Sequence, residues 1–257
     1  MSYALITGAS KGIGKAIAEE LAVRHFNVLL IARSEELLKN ESLRLAQKYS
    51  VSTDQLAIDL SAPDAAAKIY EWCKIKNYTV SALVNNAGYG LSGPFDKHSA
   101  EDHLNMLQLN VVTPVLLSRV FLPMLQMQPR SYILNIASTA AYQAVPCLTA
   151  YAASKSFIKS FSRGLRQELR ESNVSVTCIS PGATDTEFPA RAMMGEKSLK
   201  AAEKLNMTAE SVANIAVKSM LDGKAEVITG MINKFGALLS WLLPKELVER
   251  SVMKIYK

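Results

Sequence analysis

The sequence predicts an α/β fold in which one parallel sheet of seven strands is covered by helices on both faces, a doubly wound arrangement. Short apolar runs alternate with longer amphipathic segments along the 257 residues, which is typical of repeated βα units. No internal repeat or low-complexity linker divides the chain, and 49% of its residues are hydrophobic, enough for one substantial core. These observations favour a single domain.

The alternation gives the elements in order. Seven apolar runs predict strands at 4–7, 28–32, 56–59, 82–85, 132–137, 174–179 and 226–229. Six amphipathic segments predict helices at 13–24, 35–49, 64–75, 100–125, 152–171 and 209–221. Ser34, Ser99 and Thr208 are cap-forming residues at predicted helix starts, and Gly223 fits a helix end. Ligands of such sheets bind beyond the carboxyl ends of the strands.

Composition excludes several classes of function. The formal net charge is +6, but the basic residues are spread out, so the sequence predicts no nucleic-acid partner. The three cysteines are far apart and the three histidines form no ligand pattern, so no disulfide or metal is expected. No signal peptide is recognisable, and no apolar run approaches the ~20 residues of a spanning helix. We therefore expect a cytoplasmic protein.

Tyr151 and Lys155 are four positions apart, which on a helix places both side chains on one face. An ammonium next to a phenol favours the phenolate, and so brings the tyrosine pKa of ~10 closer to neutrality. Ser138 stands upstream at the end of a predicted strand. Tyr70 and Lys74 have the same spacing without such a serine, and we interpret them as a solvated helix face.

A glycine-rich loop joins the first strand to the first helix. Gly8, Gly12 and Gly14 follow a G-x-x-x-G-x-G spacing. Glycines let the backbone approach a ligand closely, and a helix N-terminus attracts a pyrophosphate. Such turns also serve backbone geometry alone, but the position between strand and helix favours a dinucleotide.

The end of the second strand indicates which dinucleotide is bound. An NAD site offers a carboxylate to the ribose there, whereas an NADP site offers an arginine. The strand ends at Arg33, with no carboxylate before Glu35, and Lys11 lies in the glycine loop. The two cations together predict NADP(H), since guanidinium binds phosphate in a bidentate manner. The alternative is that Arg33 is a solvated turn residue.

These residues resemble the short-chain dehydrogenase/reductase family in its single-domain branch, to about residue 230. The resemblance rests on matched positions in order: Thr7-Gly8-x-x-x-Gly12-x-Gly14, Asp59, Asn85-Asn86-Ala87-Gly88, Asn110, Ser138, Tyr151-x-x-x-Lys155 and Pro181-Gly182. It implies a Rossmann fold and hydride transfer between NADP(H) and a ketone, aldehyde or alcohol, as in bacterial ketoacyl and hydroxysteroid reductases.

Two other functions compete with this interpretation. A regulatory protein that binds NADP(H) without turnover needs the glycine loop but not Ser138, Tyr151 and Lys155 together. A sugar-nucleotide epimerase or dehydratase would have a longer chain and a G-x-x-G-x-x-G loop, which this sequence lacks.

The resemblance implies a role for each matched position. Tyr151 is the proton donor, Ser138 orients the substrate carbonyl, Lys155 binds the nicotinamide ribose, and Asn110 holds a water that links Lys155 to solvent. The alternative for Asn110 is helix packing. Asp59 would contact the adenine, and the segments 86–88 and 181–186 would line the ribose and the nicotinamide. The implied cofactor contacts are Gly8, Ser10, Lys11, Gly12, Ile13, Gly14, Arg33, Asp59, Leu60, Asn86, Ala87, Gly88, Tyr151, Lys155, Pro181, Gly182, Thr184 and Thr186.

The substrate side is less specific. Residues 187–207 resemble a lid over the substrate, and we expect further pocket residues at Tyr142, Val145, Cys147 and Leu148. This wall is apolar, which indicates a hydrophobic small-molecule carbonyl compound or alcohol.

The chain divides into a catalytic domain, 1–236, and an amphipathic tail, 237–257. The tail departs from the ending of tetrameric ketoacyl reductases, so it does not predict their tetramer. A homodimer or a higher homo-oligomer is expected, and the sequence leaves dimer and tetramer open. Two interpretations of the tail remain: it packs on the domain or a partner subunit, or it makes weak peripheral membrane contact, because Leu and Trp stand beside Lys.

Overall fold

Seven parallel strands form the central sheet of the computed structural model, which describes residues 2–185, 192 and 206–256, with side chains to Lys254. The strands are β1 Tyr3–Thr7, β2 Asn27–Ala32, β3 Thr53–Ala57, β4 Val80–Asn85, β5 Ser131–Ile136, β6 Val174–Ser180 and β9 Glu226–Ile228. Their order is β3-β2-β1-β4-β5-β6-β9, so the predicted doubly wound Rossmann fold is confirmed. The ribbon of β7 Thr184–Asp185 with β8 Met207–Thr208 stands apart.

Nine helices are described in these ranges. They are α1 Gly12–Val23, α2 Glu35–Tyr49, α3 Ala65–Ile75, α4 Ala100–Leu107, α5 Thr113–Gln126, α6 Thr149–Glu168, α7 Ala209–Leu221, α8 Met231–Leu242 and α9 Lys245–Tyr256. One face of the sheet packs against α1, α2 and α7, and the other against α3, α5 and α6. Alternation along β1 supplies both cores, since Ala4 and Ile6 enter the first and Leu5 the second.

The third strand was predicted wrongly. It runs from Thr53 to Ala57 instead of 56–59, so Asp59 lies in the loop that follows. The strand is the edge of the sheet and only half-buried, and it begins with the polar residues Thr53, Asp54 and Gln55. Apolar periodicity therefore does not mark it.

The predicted helix 100–125 is three segments in one continuous rod. A π-helical turn, Gln108–Val112, joins α4 to α5 and carries Asn110. The whole rod, Ala100–Gln126, is long and apolar enough to cross a membrane by length and composition, contrary to our expectation from the sequence. Leu117 and Phe121 of this rod are buried in the core, which accounts for its apolar character.

Helix α6 begins at Thr149, three residues before its predicted start. Leu148 stands at its N-cap and makes no side-chain cap, so no cap signal marks the start. The earlier start places Tyr151 inside the first turn, on the same helix as Lys155. Among the predicted caps, Ser99 forms a capping box with Asp102, as expected.

Candidate active site

Strands β1 and β4 are neighbours in the sheet, but the chain continues from β1 towards one edge of the sheet and from β4 towards the other. In sheets of this kind a ligand binds in the crevice between two such strands. The glycine loop follows β1, and Asn86, Ala87 and Gly88 follow β4. The sheet order therefore brings together two motifs that are almost 80 residues apart in sequence.

Thr7 and Asn86 fix the shape of the glycine loop. The Thr7 hydroxyl donates to the Val84 carbonyl at 3.1 Å and accepts the backbone N–H groups of Asn86 and Ala87 at 3.0 and 3.1 Å. Asn86 Nδ2 donates to the Thr7 carbonyl at 2.9 Å. A Cβ on Gly14 would lie only 2.4 Å from that Nδ2. Asn86 thus steadies the loop together with the Thr7 side chain, whose part in this contact was not predicted.

The loop also adjoins the end of β2. The Gly8 N–H donates to the Ile31 carbonyl at 2.7 Å, two residues before the exposed Arg33. Lys11 stands at the N-cap of α1, and lysine has no acceptor atom with which to cap the first amides of a helix. An anion is the natural partner for such amides. The glycine loop and the helix terminus fit the diphosphate of a dinucleotide.

The loop after β3, where the resemblance implies an adenine contact, lies next to β2. The Ile58 N–H donates to the Ala32 carbonyl at 2.9 Å, so this loop lies beside the end of β2. Asp59 is exposed and its Oδ1 accepts from the Ser61 amide at 3.0 Å. Leu60 is buried, and its carbonyl accepts from Thr113. Both predicted residues therefore border the crevice mouth near Arg33.

Lys155 is the most unusual side chain of the site, because it is a buried ammonium with only 5% of its surface exposed. Its Nζ donates to the Ile136 carbonyl at 2.9 Å and lies 5.9 Å from the centre of the Tyr151 ring. Burial lowers the pKa of Lys155 to about 8, so the cation still predominates at neutral pH. The predicted pair is therefore assembled in one place.

Gly88 creates the space above this ammonium. A Cβ on Gly88 would lie 2.9 Å from Asn110 Oδ1 and 3.3 Å from Lys155 Nζ. The two polar groups consequently approach the same small volume from opposite elements, the π turn and α6. A water that bridges Asn110 and Lys155, as the resemblance implies, would lie in this volume.

Asn110 also positions the helix that carries Tyr151. Its Oδ1 accepts the Tyr89 N–H at 3.1 Å, and its Nδ2 donates to the Tyr89 carbonyl at 2.9 Å. The same Nδ2 reaches Ser154 Oγ at 3.1 Å, and the Ser154 hydroxyl donates to the Tyr151 carbonyl at 2.7 Å. Ser154 was not predicted, although it immediately precedes Lys155.

Ser138 caps the 3₁₀ turn Thr139–Tyr142, directly after β5. Its Oγ accepts the Ala140 N–H at 3.1 Å. A hydroxyl that accepts from the backbone in this way retains its own proton for donation. The next amide, of Thr139, donates to the Pro181 carbonyl at 2.8 Å and so holds the Pro181-Gly182 loop beside Ser138.

The loop at Gly182 contacts α8, and this contact was not predicted from the sequence. A Cβ on Gly182 would lie 2.2 Å from Asn233 Nδ2, and this Nδ2 donates to the Thr229 carbonyl at 2.8 Å. Thr184 Oγ1 donates to the Gly182 carbonyl at 3.1 Å. Thr186 and nearly all of the proposed lid, 187–207, lie outside the described residues.

An apolar cluster surrounds Tyr151. It comprises the buried side chains of Leu91, Met106, Val145, Leu148, Tyr151 and Ala152. Val145 and Leu148 therefore lie beside the site as predicted. Cys147 adjoins it in the backbone, since its carbonyl accepts from Gly93 at 2.8 Å.

Tyr142, predicted as a pocket residue, has its hydroxyl engaged in a contact within the fold. Its hydroxyl donates to Glu226 Oε1 at 2.6 Å, and burial, together with Glu226, raises its pKa well above the ordinary value. The Lys159 ammonium stands 4.0 Å over its ring. Tyr142 therefore ties the turn after β5 to β9 and is committed to that structural role.

The second Tyr-x-x-x-Lys match is solvated at Lys74, as interpreted, but Tyr70 packs against the core. The exposed Lys74 pairs with Glu71 at 3.2 Å on the surface of α3, while the Tyr70 ring packs edge-on against Phe121. The same spacing thus has different surroundings at its two occurrences.

Comparison with known proteins agrees with this geometry. The sequence profile of the family described as short chain dehydrogenase matches residues 2–197. The chain belongs to this family. The predicted family, fold and class of oxidoreductase are therefore confirmed.

Similar proteins include enzymes with known names. The chain is 36% identical over 183 residues to very-long-chain 3-oxoacyl-CoA reductase-A of Danio rerio, covering 70% of this chain and 57% of that protein. It thus spans little more than half the length of that reductase. It is 33% identical over 183 residues to an uncharacterized oxidoreductase of Staphylococcus saprophyticus, covering 71% and 78%.

Solved structures of this family also superpose closely. A 7β-hydroxysteroid dehydrogenase superposes with a TM-score of 0.87 at 25% identity, covering 98% of this chain and 96% of the other. A short-chain dehydrogenase from Sphingobium yanoikuyae in complex with NADPH gives 0.82 at 26% identity, covering 99% and 95%. The Sphingobium yanoikuyae enzyme thus binds NADPH on a closely related fold.

Proposed function

We propose that this short-chain dehydrogenase uses NADP(H) to interconvert an apolar ketone or aldehyde and the corresponding alcohol. The observation that carries the proposal is the buried Lys155 ammonium below the Tyr151 ring, at the carboxyl ends of the strands. A buried, unneutralised lysine costs stability, and proteins tolerate such costs mainly at functional sites.

The residues divide the work of proton transfer. Bound NADPH supplies the hydride that reaches the carbonyl carbon. Tyr151 donates a proton to the carbonyl oxygen, and the Lys155 charge stabilises the phenolate left behind. Ser138, whose Oγ is already fixed by the Ala140 amide, donates to the same oxygen and stabilises the charge that develops there.

The preference for NADP(H) is proposed from the charges at the end of β2. The exposed Arg33 stands two residues after Ile31, whose carbonyl accepts from the Gly8 N–H of the glycine loop, and Lys11 belongs to that loop. A 2′-phosphate at this end of β2 would lie near both side chains. The Sphingobium yanoikuyae relative was solved with NADPH, and a Thermococcus sibiricus alcohol dehydrogenase at 25% identity was solved with 5-hydroxy-NADP. The nature of the substrate is proposed from the apolar cluster around Tyr151.

The test of the reaction is Tyr151→Phe, assayed by NADPH oxidation over a panel of apolar ketones and aldehydes. We expect turnover to fall by at least the 10²-fold that general acid catalysis contributes, with NADPH binding retained. Tyr70→Phe is the matched control, and it should keep wild-type turnover. Turnover near wild type in Tyr151→Phe would contradict the proposed proton donor, and a wild-type protein that binds NADPH without any turnover would favour the regulatory alternative.

The test of the cofactor is Arg33→Asp. Loss of a charge-assisted phosphate contact costs about 2 kcal/mol, or roughly thirtyfold in affinity. NADPH affinity should fall by this factor and NADH affinity should stay equal or rise. Lys39→Asp, an exposed change on α2, is the control. An unchanged NADPH to NADH ratio in Arg33→Asp would refute the role of Arg33.

We further propose a homodimer or a higher homo-oligomer. Exposed apolar side chains on α5 and α6, among them Leu116 and Phe157, support self-association, because burying apolar surface away from water lowers the free energy. Sedimentation velocity of the wild type and Phe157→Glu tests it, and a monomeric wild type would contradict it.

A further inference from the structure

Helix α8 exposes its large apolar side chains to solvent, which is the reverse of an ordinary surface helix. Its small and polar residues face the domain: Asn233 contacts Gly182, and Ser240 is 2% exposed. Its large apolar residues face away from the domain, with Met231 77% and Trp241 75% exposed. A surface helix ordinarily buries its apolar stripe.

The outward side chains form one continuous stripe. At 100° per residue, positions 231, 235, 238 and 242 fall within a narrow arc, which Ile232 and Trp241 flank. With side chains of ~200 Å² more than half exposed, the stripe offers on the order of several hundred Å² of apolar surface. A patch of this size marks a binding surface.

Helix α9 adds a basic border to this stripe. Val252 packs against the apolar cluster around Tyr151, so the opposite side of α9 faces solvent. That side carries Leu247, Arg250 and Lys254, all exposed. The sequence from 231 to 257 holds five Lys or Arg and two Glu, a net charge of +3, which is half the charge of the whole chain.

We propose that this C-terminal surface, made of the outward side chains of α8 and of Leu247, Arg250 and Lys254 of α9, binds an anionic lipid surface. Apolar side chains enter the boundary between headgroups and acyl chains, and the basic side chains bind the anionic headgroups. A tryptophan at the edge of the stripe suits that boundary.

Charge favours a lipid surface over a second copy of this chain. In a symmetric contact through α8 the same patch meets itself, so two tails of +3 would face each other and repel. An anionic membrane attracts the same charge, by roughly 1 kcal/mol, about fivefold in affinity, for each basic residue near it. The exposed side chains on α5 and α6 offer a second copy a different surface.

Co-sedimentation of the full-length protein with vesicles tests the proposal without relying on its enzymatic activity. One set of vesicles contains phosphatidylcholine alone, and the other contains equal parts phosphatidylcholine and phosphatidylglycerol. We expect binding to the second set at ~0.1 M salt and at least tenfold weaker binding at ~1 M salt, where the Debye length is about 3 Å.

Two double variants separate the apolar and the electrostatic contributions. Leu238→Glu with Trp241→Glu, and Arg250→Glu with Lys254→Glu, should each weaken binding at least tenfold while the melting temperature is retained. Ile75→Glu, at an apolar site exposed to the same extent as Trp241, is the matched control and should bind as the wild type does.

Two results would overturn the proposal. The first is a wild-type protein that remains in the supernatant with both sets of vesicles at low salt. The second is a loss of dimer mass in the Leu238→Glu, Trp241→Glu variant, measured by sedimentation velocity without lipid, because a second copy would then occupy the surface. Neither result depends on turnover, so a failure here is distinguishable from failure of the proposed reaction.

Discussion

Replacing Lys155 by methionine should make the protein without cofactor more stable, although it removes a residue of the proposed reaction. The fall of the Lys155 pKa from 10.5 to about 8 corresponds to about 3 kcal/mol against the charged form in the folded state. Methionine has a similar length and no charge to bury. It leaves the Ile136 carbonyl without its donor, which costs about 1 kcal/mol. The net expectation is a gain of about 2 kcal/mol.

The gain should depend on pH in a defined direction. Between pH 8 and 10.5 the unfolded chain keeps a proton on Lys155 that the folded protein has lost, so wild-type stability rises with pH through this range. The advantage of Lys155→Met is therefore complete below pH 8 and disappears as the pH approaches 10.5.

The measurement is the thermal midpoint of both proteins at pH 7 and near pH 10. A gain of about 2 kcal/mol in a chain of this size raises the midpoint by about 5 °C. Lys74→Met is the matched control, and the exposed position should change stability by less than about 0.5 kcal/mol. A lower midpoint for Lys155→Met at pH 7, or an equal gain at both pH values, would refute the reasoning.

Three further predictions follow from close contacts and charge. Gly88→Ala should lower kcat at least tenfold, because its Cβ would lie 2.9 Å from the Asn110 amide oxygen. Gly164→Ala is the control, since its Cβ would meet open space, and it should leave kcat unchanged. Equal kcat values in the two variants would contradict this prediction. Gly182→Ala should weaken NADPH binding, measured by fluorescence titration, because its Cβ would overlap Asn233. Adding Asn233→Ala to this variant should restore NADPH binding. If the second substitution does not restore binding, the overlap is not the cause. Glu19→Gln should lower the thermal midpoint at pH 7, because Arg44 holds the Glu19 pKa far below its usual value. This difference should shrink progressively as the pH falls below the ordinary glutamate pKa of about 4.3, and a difference that is the same at every pH would contradict the assignment.

The local features of the fold followed from the sequence. Buried strands such as Val80–Asn85 read as apolar runs because both of their faces meet helices. The edge strand Thr53–Ala57 did not, because its side chains are only half-buried and its composition is correspondingly polar. The sequence after β5 likewise gave no sign that the Tyr142 hydroxyl donates to Glu226, 84 residues away.

The sequence by itself determined the class of fold and the chemistry of the site. The spacing of Tyr151 and Lys155 places them on one helix face, and the spacing of the glycines shapes the loop. Both features are local in the chain, so the sequence predicts them. Ser138 separated this pair from Tyr70 and Lys74 in the sequence, but only the tertiary structure showed that Lys155 is buried, because the burial that lowers its pKa is created by elements distant in sequence. The same holds for the contact of Asn233 with Gly182 and for the outward stripe of α8, since the direction in which an apolar helix face points is decided by what the rest of the fold leaves uncovered.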